Sequence, residues 1–123
     1  MAKILLIDDD ELLRDTVLQM LEVDGHRVVE AHDGRDGLNR FEAEHFDLVI
    51  TDVLMPGMDG AQLIVELRRR GAQLPILAIS GGRRVLSPEF NLQTAGLAGA
   101  TLQLAKPFNR SQLKQALHEA LPS

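Results

Sequence analysis

Five short apolar runs recur along the chain, each separated from the next by a stretch long enough for a helix. They are KILLI (3–7), RVVEA (27–31), DLVIT (47–51), PILAIS (75–80) and TLQLA (101–105). The first, third and fourth are nearly unbroken, as strands covered on both faces must be. The second and fifth carry polar residues at intervals and suit flanking positions. Strict alternation of strand and helix leaves few arrangements, and the simplest is an open parallel sheet with helices on both faces.

The helical segments have their own punctuation. Leu13, Val17, Met20 and Leu21 share a face, with Gly25 where a C-terminal cap belongs. Leu38, Phe41 and Phe46 mark a second helix after Asp33-Gly34, although Gly37 inside it costs about 1 kcal/mol relative to Ala. Leu63, Ile64 and Leu67 mark a third, closed by Gly71. A fourth is expected from Ser87-Pro88 onward, and a fifth from Asn109, carrying Leu113, Ala116, Leu117 and Leu121. Asn109 with Gln112 three residues later reads as a capping box.

The length of 123 residues fits one domain, 1–123, with no repeat, low-complexity tract or linker. With four Phe and neither Trp nor Tyr, aliphatic side chains must fill the core. The absence of Cys removes disulfides, thiolate metal sites and a cysteine nucleophile together, and it fits a reducing, cytoplasmic setting. A net charge of −5 argues against nucleic acid as a partner. Arg68-Arg69-Arg70 ends a helix, where cations favour the negative end of the dipole. No apolar run reaches a membrane span, and MAKILLIDDD is not a signal peptide.

In open parallel sheets, ligands sit beyond the carboxyl ends of the strands. Those ends carry Asp8-Asp9, Asp52, Ser80 and Lys106. Singly, each has an ordinary explanation: a cap or turn for the Asp residues, a turn for Ser80 before Gly81-Gly82, a solvated charge for Lys106. Asp10 is the natural N-cap of the first helix. Together they predict three carboxylates, a hydroxyl and an ammonium on one edge. Three neighbouring carboxylates repel unless one is protonated or a cation sits among them. An all-oxygen donor set suits a hard ion such as Mg²⁺. A carboxylate in such a setting can accept a phosphoryl group, with Lys106 and the Ser80 hydroxyl meeting charge on its oxygens.

Four blocks now carry a resemblance: Asp8-Asp9, TDVLMPGMDG (51–60), ILAIS (76–80) and AKPF (105–108). In this order and with these gaps, the chain resembles the receiver domain of two-component response regulators over its whole length. The resemblance implies a flavodoxin-like (βα)5 three-layer sandwich with a five-stranded parallel sheet in the order 2-1-3-4-5. It implies that Asp52 accepts a phosphoryl group from the phosphohistidine of a histidine kinase or phosphotransfer protein. Asp9 would bind Mg²⁺ directly and Asp8 directly or through water, with the Leu54 backbone carbonyl as a further ligand. Ser80 and Lys106 would hold the phosphoryl group, and the Lys106–Pro107 peptide would be cis. With only Pro122-Ser123 after Leu121, a stand-alone receiver is expected. It would act through the face of its fourth helix, fifth strand and fifth helix on an unidentified downstream protein, or pass phosphate onward.

Three positions depart from the family pattern. Gln103 stands where an aromatic residue often swings inward, so the readout is expected to run through Ser80 and the loop after it. The segment from Ser80 to Lys106 is several residues longer than in common receivers, which sets Arg83, Arg84 and Val85 near the site. Leu54 and Gly82, two residues beyond Asp52 and Ser80, cannot orient a water by hydrogen bonding, so slow self-dephosphorylation is expected.

Another class, a haloacid-dehalogenase-type phosphatase, would use Asp8 and Asp10 with a later Ser and Lys. It lacks the acidic pair such enzymes need after a further strand, and it gives Asp52 no task. A flavodoxin-type FMN carrier is disfavoured because Asp8-Asp9-Asp10 would repel a phosphate. A pseudo-receiver is disfavoured because every chemical residue is present.

Overall fold

The structure, a computed structural model, describes residues 2–53, 60–80 and 99–121. Its elements run β1 (Lys3–Ile7), α1 (Glu11–Val23), β2 (Arg27–Ala31), α2 (Gly34–Ala43), β3 (Leu48–Asp52), α3 (Gly60–Arg69), β4 (Ile76–Ser80), β5 (Leu102–Ala105) and α4 (Arg110–Ala120). The helix expected from Ser87-Pro88 falls outside the described residues, so α4 here is the C-terminal helix.

The strands form one sheet in the order β2-β1-β3-β4-β5, parallel throughout. The expected flavodoxin-like order is therefore present, with the two polar-interrupted strands at the edges. Side-chain alternation then divides the core in two. Ile4, Leu6, Leu48, Ile50, Leu77 and Ile79 pack beneath Val17 and Leu21 of α1 and Leu113 and Leu117 of α4. Leu5, Ile7, Val49, Ile76 and Ala78 face the other way, beneath Leu38 of α2 and Leu63, Ile64 and Leu67 of α3. Three layers result because the central strands carry apolar residues on both faces, and one helix layer could cover only half of those side chains.

The helix ends follow their cap chemistry. Asp10 accepts from Leu13 N at 3.1 Å, and Asp33 from Asp36 N at 2.7 Å. Asn109 and Gln112 complete both bonds of the expected capping box, each at 2.8 Å. Phe46 departs from expectation: α2 ends at Ala43, and Phe46 lies beyond it, packed against the α2–α3 core. Its ring has the Lys3 ammonium 5.4 Å from the centroid. Gly37 has a packing role, since a Cβ there would fall 2.6 Å from Ile7 Cδ1. The bare α-carbon lets α2 settle onto β1.

Arg68 does more than face a helix dipole. Its guanidinium donates to the carbonyls of Ala72, Leu74 and Gly99 and to Thr101 Oγ1, at 2.8–3.3 Å. It thereby ties the end of α3 to the starts of β4 and β5. Arg70 pairs with Glu66 and Glu42, joining α3 to α2.

The parallel register decides where the site lies. Ile7 pairs with Thr51, Asp52 with Ile79, and Ser80 with Ala105, so these strands end together at one edge.

Candidate functional site

Asp52 is the last residue of β3. The strand was expected over 47–51, but it begins at Leu48 and carries Asp52 within its ladder. Asp47 instead turns its carboxylate to Lys3 N at 2.8 Å. Asp52 is only 2% exposed, fixed between the fully buried Thr51 and Val53, whose N–H donates to Ile79 O at 2.9 Å. A carboxylate so placed is rare, because burial without compensation costs several kcal/mol.

Asp8 and Asp9 follow β1 on the neighbouring strand. One carboxylate oxygen from each of Asp8, Asp9 and Asp52 lies within 4.8 Å of the others. Lys106, just past β5, brings its Nζ to 3.6 Å from Asp52 Oδ2 and 3.8 Å from Asp8 Oδ2. The peptide joining it to Pro107 is cis. The structure thus brings together Asp8, Asp9, Asp52 and Lys106. Ser80 ends β4 at the same edge, and its side chain lies outside the described residues, as do Leu54, Gly82, Arg83, Arg84 and Val85.

Among the described residues one ammonium faces three carboxylates, and Asp8 bears both its burial and that charge. Its pKa is raised from 3.8 to about 6, first by burial and further by the charges of Asp52 and Asp9. The Asp10 N–H and Lys106 pull the other way without offsetting the burial.

Asp8 is held at three points: its N–H donates to Ala31 O at 3.2 Å, its Oδ1 accepts from Asp10 N at 2.9 Å, and its carbonyl accepts from Arg14 Nη1 at 2.7 Å. Oδ2 is left facing Lys106. Arg14 had no distinguishing signal in the sequence, because its spacing is that of any charged residue on an amphipathic helix. Its contact emerges only when α1 is docked on the sheet.

The donor set fits a hard divalent cation. Every donor is a carboxylate oxygen, and the three lie within 4.8 Å of one another, against the roughly 3–4 Å that separates two oxygens on one Mg²⁺. A cation among these oxygens would also relieve the repulsion recorded in Asp8.

The fold and site define a doubly wound α/β domain with an acidic pocket at its carboxyl edge. Residues 4–118 match the model of the response regulator receiver domain, and the chain belongs to that family, one of two-component signalling. It is 37% identical over 113 residues to the response regulator MprA of Mycolicibacterium vanbaalenii. The match covers 91% of this chain and 47% of that protein, so the chain spans about half the length of the curated relatives it matches. The chemotaxis response regulator CheY4 of Vibrio cholerae superposes with a TM-score of 0.88 at 36% identity, over 98% of this chain and 99% of that one. NtrX of Brucella abortus, at 30% identity, gives a TM-score of 0.88 over 98% of this chain and 27% of its own. Among the described residues, no helix is long and apolar enough to cross a membrane.

Proposed function

We propose that this domain takes a phosphoryl group from the phosphohistidine of a histidine kinase or phosphotransfer protein onto Asp52, in a Mg²⁺-dependent reaction. The observation that carries the reading is the buried Asp52 carboxylate, with Lys106 Nζ at 3.6 Å and the carboxylates of Asp8 and Asp9 alongside. Asp8, Asp9 and Asp52 would hold the ion, with the Leu54 carbonyl completing the protein ligands. When bound, Mg²⁺ supplies positive charge against the phosphoryl oxygens and lets three carboxylates coexist.

The remaining work belongs to the chain. One Asp52 oxygen forms a bond to phosphorus as the P–N bond of the phosphohistidine breaks and the imidazole leaves. Burial of Asp52 on a rigid strand fixes the angle of attack. Lys106 supplies a fixed cation to the phosphoryl oxygens, and the Ser80 hydroxyl a hydrogen bond. The phosphorylated domain then signals by protein–protein contact or passes the group onward. The groove between β5 and α4, lined by Leu102, Leu104, Gln112 and Ala116 beside the exposed Gln103, is consistent with the expected downstream face.

The phosphatase alternative is weakened by Asp10. Its carboxylate caps α1 by accepting from Leu13 N, which engages the acid two residues after Asp8 that such enzymes use in their chemistry. A phosphoryl-transfer screen against histidine kinases with Mg²⁺, using Asp52→Asn as control, tests the proposal. Label on the wild type and none on the variant is expected; equal labelling of both would refute it.

A further inference from the structure

We infer that Arg14 is a positioning residue for the cation site, acting through the Asp8 backbone with Glu30 as its anchor; the inference rests on the function proposed above. Arg14 touches none of the three carboxylates proposed as ligands in the contacts described above. It donates from Nη1 to the Asp8 carbonyl at 2.7 Å and from Nε to Glu30 Oε1 at 3.1 Å. Its side chain is 16% exposed, while Glu30 stands at 41%. Glu30 lies on β2, paired with Leu6 of β1, and belongs to the rigid sheet. Arg14 therefore links the loop after β1 to a strand, using a planar fork whose donors diverge toward two acceptors.

The Asp8 carbonyl is half of the peptide that joins Asp8 to Asp9. Fixing that carbonyl fixes the plane of the peptide, and with it the point from which the Asp9 side chain departs. The Ala31 contact holds the N-terminal side of Asp8, and the Asp10 N–H bond to Oδ1 closes a turn around the Asp8–Asp9 peptide without touching its carbonyl. The Arg14 bond adds a hold on that carbonyl from outside the loop, anchored on β2 through Glu30, and so helps to orient the adjacent acids as a pair.

Charge and positioning make opposite predictions. The guanidinium is a cation one carbonyl away from the pocket. If it acted by charge alone, removing it would reduce repulsion and tighten Mg²⁺ binding. If it acts by positioning, removal loosens Asp8 and Asp9 and weakens binding, as losing partners that orient metal ligands usually does, by about tenfold or more.

The test is calorimetric titration of the full chain with Mg²⁺ alone, comparing wild type with Arg14→Met, Arg14→Lys and Glu30→Ala. Arg14→Met is expected to weaken binding about tenfold. Arg14→Lys should fall between it and wild type, since an ammonium on one flexible stem cannot span both acceptors. Glu30→Ala should weaken binding by a smaller factor, and its exposed position keeps it informative if Arg14→Met fails to fold. Phosphorylation by acetyl phosphate at saturating Mg²⁺ should return to near the wild-type rate in each folded variant. Unchanged or tighter Mg²⁺ binding in the folded Arg14 variants would overturn the inference, as would a saturated rate that stays low. Wild-type protein that takes up neither Mg²⁺ nor phosphoryl would end the proposed function and this inference with it. Wild-type binding matched by every variant would end this inference alone.

Discussion

Replacing Asp8 by Asn should stabilise the metal-free domain at neutral pH, although it removes a residue on which the site depends. The folded Asp8 carboxyl titrates at about 6 against 3.8 in its ordinary state. The folded protein therefore binds this proton more tightly than the unfolded chain does. Stability from the group is fully present below pH 4 and is lost as pH rises through about 6. Each pH unit between the two values is worth about 1.4 kcal/mol, which sets a ceiling of about 3 kcal/mol on the cost at pH 7. For a domain of this length that corresponds to roughly 10 °C in Tm. Asn keeps an oxygen for the Asp10 N–H and removes the charge. In EDTA at pH 7, thermal unfolding should show Asp8→Asn more stable by up to that amount, and the gap should close at pH 4. Added Mg²⁺ at about ten times its dissociation constant should raise the wild type by about 1.4 kcal/mol and leave the variant nearly unmoved. A variant less stable than wild type in EDTA at pH 7, or a gap that does not change with pH, would refute the reasoning.

Other perturbations probe the frame around the site. Gly37→Ala gains about 1 kcal/mol of helix propensity yet forces a Cβ onto Ile7; the clash should win, lowering the unfolding free energy read from urea titration by about 1–2 kcal/mol. Arg68→Met strips the donors from the Ala72, Leu74 and Gly99 carbonyls; urea unfolding should show a loss of about 2–3 kcal/mol, with Mg²⁺ affinity unchanged. Leu54→Asn introduces an amide able to orient water near the acyl phosphate, so the phosphorylated form should decay faster than wild type when followed by intact mass.

Much of this fold could be read from the positions of apolar residues. Leu48-Val49-Ile50 is buried on both faces, and only a central parallel strand uses such a run in full. RVVEA and TLQLA carried their edge positions in their polar residues. The caps at Asp10 and Asn109 were legible because a short polar side chain facing a bare helix end has one dominant use. The approach of Asp8, Asp9, Asp52 and Lys106 was legible for a topological reason: in a parallel sheet every strand ends at the same edge.

What escaped was set by tertiary contact. Phe46 continued the helical period past Ala43 in sequence, but Asp47 binds Lys3 N and the chain enters β3 instead. Gly37 looked like a defect in a helix until Ile7 was found against it. Arg68 looked like one of three equivalent cations, and only docking α3 beside β4 and β5 shows that it satisfies three carbonyls. Arg14 was equally silent, since its partners lie six positions before it and on another strand.

The central claim is that Asp52, and no other carboxylate of the acidic cluster, accepts the phosphoryl group. The most direct measurement is reduction of the acetyl-phosphate-treated protein with borohydride, which converts an aspartyl phosphate to homoserine, followed by peptide mass mapping. Homoserine at position 52, dependent on Mg²⁺ during phosphorylation, is the predicted result. Homoserine at position 8 or 9 with Asp52 untouched, or at no position in protein that demonstrably binds Mg²⁺, would contradict it.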